Sequence, residues 1–102
     1  MFNPKMLKQM QQMQRQMAQI DEELGNEKVE ATSGGGMVKV VANGKQDILE
    51  IKISKEAVDP EETELLEDMI LAAAKEAVEK SRALAQQKMS GLTGGLNIPG
   101  LT

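Results

Sequence analysis

This 102-residue chain contains neither histidine nor cysteine, which leaves lysine, arginine, serine and the carboxylates to carry any chemistry. Missing histidine removes the commonest general base and the commonest metal ligand. Missing cysteine removes a thiolate nucleophile, a thiolate metal site and a disulfide framework. An enzyme would have to use a Ser-Lys pair or two carboxylates. The adjacent pairs Glu22-Glu23 and Glu61-Glu62 are neighbours in sequence, so on a helix they diverge and read as surface charge. Two glycine-containing stretches invite comparison with phosphate loops. Gly34-Gly35-Gly36 is not followed by GK[ST] or by an opening helix, and Gly44-Lys45 is followed by Gln46, so neither carries the mechanism of that motif. No catalytic residue, metal, cofactor or small-molecule substrate is expected.

The cations are sorted along the chain. Residues 1–20 carry Lys5, Lys8 and Arg15 with no acid, and residues 80–102 carry Lys80, Arg82 and Lys88 with no acid. All 16 acids lie in residues 21–79, giving −10 there against +3 at each end and −4 in total. Basic ends flanking an acidic middle suggest an anionic partner for the ends. The competing explanation is that these charges solvate helix surfaces. For Lys80, Arg82 and Lys88, a position late in a helix that begins with acids also suits the helix dipole.

The elements that must position these charges are legible from periodicity. Residues 34–53, GGGMVKVVANGKQDILEIKI, hold two alternating apolar runs around Asn43-Gly44, which predicts a β-hairpin with strands over about 36–42 and 47–53. Asn-Gly favours a tight type I′ turn. A two-residue loop would pair Val38 with Leu49 and a four-residue loop would pair it with Ile51. In either register Val38, Val40 and Ala42 share a face with the apolar side of the second run. Residues 27–33 read as a weaker first strand, with Val29 and Ala31 on its apolar face. The resulting three-stranded antiparallel meander needs a cover, and only helices are available.

Asn3 and Pro4 predict the start of a helix over 4–24, as N-cap and first helical residue. Within it Met6, Met10, Met13, Met17, Ile20 and Leu24 follow the 4-3 spacing of an a/d seam, predicting a coiled-coil-like core or dimer contact with one partner helix. A groove gripping other proteins is the alternative, since methionine suits adaptable apolar surfaces. Asp59, Pro60 and Glu62 predict a second start, for a helix over 60–89. Leu66, Met69, Ile70, Ala73, Ala77 and Leu84 form its apolar stripe, widened by Leu65, Ala74 and Val78. Residues 90–102, with four glycines and one proline, predict a flexible tail.

The pattern is therefore α+β, in the order α-β-β-β-α, with one domain over 1–89. A chain of this size gains stability by association. No apolar run approaches the roughly 20 residues of a membrane span, so a cytoplasmic protein with no membrane partner is expected.

Three segments, GGGMVKVVANGK, DPEETELLEDMILAAAKEA and KMSGLTGGLNIPGL, resemble the YbaB/EbfC family of bacterial nucleoid-associated proteins. The resemblance extends over nearly the whole chain, including the Met/Gln-rich first helix. It implies a tweezer-like homodimer with a sheet base and projecting helices. It further implies binding of double-stranded DNA in the nucleoid, and a non-catalytic role in organising the chromosome or modulating gene expression. The family supplies no residue-level contact motif, so the six basic residues above are candidates on the charge argument alone. With one aromatic residue, Phe2, the chain lacks the stacking platforms of single-strand binders. The alternative function is an adaptor that holds a protein through its Met-rich helix or apolar tail.

Overall fold

A computed structural model describes residues 3–94, and the fold follows the expected order. Helix α1 spans Pro4–Asn26. Asn3 caps it in extended conformation, its side chain accepting a hydrogen bond from the Lys5 N–H at 3.0 Å. Three strands follow, β1 (Lys28–Ser33), β2 (Val38–Asn43) and β3 (Ile48–Ile53), in an antiparallel sheet of order β1-β2-β3. Helix α2 spans Thr63–Gly94.

The hairpin differs from both expected registers. Val38 pairs with Ile53 and Val40 with Ile51, and a bulge between Val41 and Ala42 moves the next pairing to Ala42 and Ile48. The turn explains the shift. The Asn43 N–H donates to the Asp47 carbonyl at 2.9 Å, closing a loop of Gly44, Lys45 and Gln46, with Gln46 at φ 64°. This is a three-residue loop whose last residue is left-handed, not a type I′ turn. The Asn43 side chain holds it by accepting from the N–H groups of Lys45 and Asp47. Gly44 is required for proximity rather than for positive φ: its N–H donates to the Leu24 carbonyl at 2.7 Å, and a Cβ there would lie 2.8 Å from that oxygen. The hairpin tip is thereby fixed to the last turns of α1.

The core is thin and built from small side chains. Ala31, Val38, Val40 and Ala42 from the sheet meet Ala73 and Ala77 from α2, with Leu66, Met69 and Ile70 at the margin. Alanine at these two helical positions lets α2 lie close on β1 and β2. Two serine contacts fasten it, one in its second turn and one near its middle. Ser33 Oγ donates to the Met69 carbonyl at 2.6 Å, near the β1–β2 connection. At the hairpin tip the fully buried Ser81 Oγ donates to the Asn43 carbonyl at 2.6 Å and accepts the Gln46 N–H at 2.9 Å.

Four other expectations are revised. The cover of the sheet is α2 alone, lying over β1 and β2, while α1 reaches the sheet through the hairpin end. The cross-strand partners on β3, Ile48, Ile51 and Ile53, stay 40–46 % exposed beside buried valines. Asp59 caps a turn rather than the helix: its carboxylate accepts from the Glu61 N–H and its carbonyl from the Glu62 N–H, and α2 begins one turn later. At the other end α2 continues past residue 89, taking residues 90–94 from the expected tail; residues 95–102 lie outside those described.

Candidate nucleic-acid interface

From Pro4 to Gln19 every residue of α1 is exposed, so this part of the helix projects as an arm. The 23 residues of α1 give it a length of about 34 Å, in a molecule 69 Å long and 27 Å across. At 100° per residue, Lys5, Lys8 and Arg15 fall within an arc of about 80°, roughly 160° around the helix from the stripe of Met6, Met10, Met13 and Met17. The arm therefore has a cationic side and a methionine side. Gln12, Gln16 and Gln19 share the cationic half.

The a/d stripe is covered at one end only. Leu24 is buried and Ile20 half-buried, whereas Met6, Met10, Met13 and Met17 are 38–58 % exposed. Among the described residues no coiled-coil core forms along the outer turns. The seam residues thus divide into an anchored end (Ile20, Leu24) and an open one.

The six candidate cations do not share one situation. Lys5, Lys8 and Arg15 make no side-chain ion pair among the described residues. Lys80 donates to the Glu30 carbonyl at 2.8 Å with Glu76 at 3.9 Å, and Arg82 pairs with Glu79 at 3.1 Å. Both pairs are exposed and therefore weak, so these two side chains can exchange a carboxylate for another anion. Lys88 is held more firmly. Its Nζ lies 2.9 Å from Glu27 and 3.2 Å from Glu23, and the hydrogen bonds it donates, first to Glu27 and then to Glu23, raise its pKa above the ordinary lysine value. It clamps α2 to the last turns of α1, and its charge is already neutralised.

Acidic charge gathers at the opposite end. Glu61, Glu62, Glu64 and Asp68 surround the start of α2, near the β1–β2 connection, while α1 is fixed at the hairpin tip. Anions are attracted to the arm and repelled from the far end. Among the described residues, no group of three or more carboxylates, histidines or cysteines is placed to hold a metal ion, and no helix is long and apolar enough to cross a membrane.

Comparison with known proteins is consistent with this geometry. The family model of the YbaB/EbfC DNA-binding family matches residues 1–96. The chain belongs to this family. A nucleoid-associated protein of Pelotomaculum thermopropionicum is 57 % identical over 97 residues, covering 95 % of this chain and 92 % of that one. One from Syntrophobacter fumaroxidans is 48 % identical over 100 residues, covering 98 % and 89 %. The crystal structure of the uncharacterized protein HP0035 from Helicobacter pylori shares the fold at TM-score 0.70 and 19 % identity, covering 94 % of this chain and 97 % of that one. As a YbaB/EbfC protein the chain is a nucleoid-associated, DNA-binding type.

Two features of the site went unread in the sequence. Glu23 and Glu27 belong by sequence to the acidic middle, yet they hold Lys88. Ser81 continues the four-residue spacing of Ala73 and Ala77, and that spacing could have marked it as a buried polar contact.

Proposed function

We propose that this YbaB/EbfC protein binds double-stranded DNA as a homodimer, without catalysis, through the cationic side of α1, and that it serves to organise the chromosome or modulate gene expression in the nucleoid. The observation that carries this reading is the row of Lys5, Lys8 and Arg15, without an ion pair among the described residues, on an exposed projecting helix while Glu61, Glu62, Glu64 and Asp68 gather at the far end. The row spans ten residues, about 15 Å of helix, so its charges can meet several phosphates. Lysine and arginine bound to phosphate displace condensed counterions, which supplies most non-specific affinity. Lys80 and Arg82 add a secondary contact, and Lys88 acts as a strut.

The homodimer is supported by the open face of β3. Ile48, Ile51 and Ile53 continue the apolar face that α2 covers over β1 and β2, and they end at an unpaired sheet edge. Fully burying each isoleucine is worth about 1.5–3 kcal/mol. A second copy related by a two-fold axis would cover the same surface on both chains.

Reversing Lys5, Lys8 and Arg15 to Glu tests the assignment. Duplex binding in a gel shift is expected to disappear while helix content by circular dichroism is unchanged. Retained binding would remove α1 from the interface.

A further inference from the structure

The methionine side of α1 is open along its outer turns. Met6, Met10, Met13 and Met17 stand 38–58 % exposed and follow one another at spacings of four, three and four, the narrow seam by which one helix packs on a single other helix. The positions bordering this seam, Gln9 on one side and Gln14 on the other, carry no charge. Lys8 and Arg15 lie about 170–190° around the helix from it, and Lys5 about 110°. A second α1 can therefore approach the seam without setting like charges face to face. Toward the hairpin the seam meets α2 instead, where Met89 borders a hollow with Met17, Ile20 and Leu24.

We propose that the α1 arms of two copies pair antiparallel along this seam, Met10 of each against Met13 of the other and Met6 against Met17. Charge sets the direction. The outer arm carries Lys5, Lys8 and Arg15, while its base carries Asp21, Glu22, Glu23 and Glu27, which Lys45 and Lys88 answer only in part. Antiparallel pairing sets the basic tip of each arm beside the acidic base of the other, whereas parallel pairing would set tip on tip and base on base. Parallel pairing would also bring the α2 ends of both copies to the same place. The antiparallel contact is isologous, the same patch on both chains, and it is separate from the β3 face. Leu24 lies about 19 Å of helix from the midpoint between Met10 and Met13, so the two hairpin tips pinned at Leu24 stand about 37 Å apart, at opposite ends of the pair. Two copies joined by their arms are thus not the two joined through β3, and the arms link one β3 dimer to the next. Lys8 and Arg15 face outward on opposite sides of the arm pair; on the DNA-binding reading above, one pair then holds two duplexes.

A seam from Met6 to Met17 is about 16 Å long, a transient interface by size, so the test traps it. The chain has no native cysteine. Full-length Met10→Cys protein is mixed with full-length Met13→Cys protein of different tag length, without DNA, and oxidised. The expected result is a several-fold excess of the mixed disulfide over the two like-with-like disulfides, while Gln12→Cys, on the far side of the helix, stays reduced. A statistical mixture, an excess of like-with-like disulfides, or no disulfide would overturn the antiparallel pairing. Repeating the mixture with Ile51→Glu in both proteins separates the arms from the β3 face. The mixed disulfide is expected to persist, and its loss would place the arm contact inside the β3 dimer, against the proposal. Because no DNA is present, neither result depends on the DNA-binding reading, which the charge-reversal gel shift tests by itself.

Discussion

Ser81→Ala isolates the contact that holds α2 to the hairpin tip. Ser81 is fully buried and makes two short hydrogen bonds, donating to the Asn43 carbonyl and accepting from the Gln46 N–H. Alanine removes both without adding volume. Neither backbone group is completely abandoned, since the Gln46 N–H still lies 3.3 Å from the Asn43 carbonyl. The loss is therefore set by two net hydrogen bonds, about 1 kcal/mol each, rather than by two fully unsatisfied buried groups at up to about 3 kcal/mol each. A destabilisation of about 2 kcal/mol lowers Tm by roughly 8–16 °C in a domain of this size. Thermal unfolding followed by circular dichroism measures it, at matched protein concentration because self-association moves Tm. A Tm within about 2 °C of the parent would refute the reasoning, showing that the small alanine core holds α2 without the serine.

Gly44→Ala should destabilise through crowding against the Leu24 carbonyl, by about 1–3 kcal/mol, read in urea unfolding. Ile51→Glu, on the open face of β3, should convert the proposed dimer to a folded monomer in sedimentation; an unchanged dimer would move the interface elsewhere. The Lys88 clamp predicts a pH dependence. Its folded pKa is raised above the ordinary 10.5, so its contribution is complete below that value and is lost as pH rises through the folded pKa. Alkaline titration should loosen α1 in the parent, and Lys88→Met should remove that transition; an identical transition in both proteins would assign it to another group.

The order of elements was readable because Val38, Val40 and Ala42 alternate and Met6 to Leu24 recur at helical spacing. Both patterns report a face that wants covering, but neither names the cover. Hence the outer methionines, whose spacing is that of a core or a dimer contact, and the β3 isoleucines are open in the single chain. Register was illegible for a local reason. Asn-Gly points to a two-residue turn, whereas Gln46 takes the left-handed position and Ser81, 35 residues away, secures it. Of the six candidate cations, Lys80 and Arg82 have acids at i−4 and i−3, a spacing visible in the sequence. The Lys88 pairing joins residues 65 apart and required the fold.

The salt dependence of duplex binding tests the central claim most directly. Three unpaired cations per chain, six in a dimer, predict a slope near −5 in log K against log salt and a roughly 10³-fold loss of affinity between about 50 and 200 mM salt. Lys5→Gln, Lys8→Gln and Arg15→Gln together should flatten that slope toward the small contribution of Lys80 and Arg82. A slope that is unchanged in the substituted protein, or already shallow in the parent, would contradict a DNA interface built on α1.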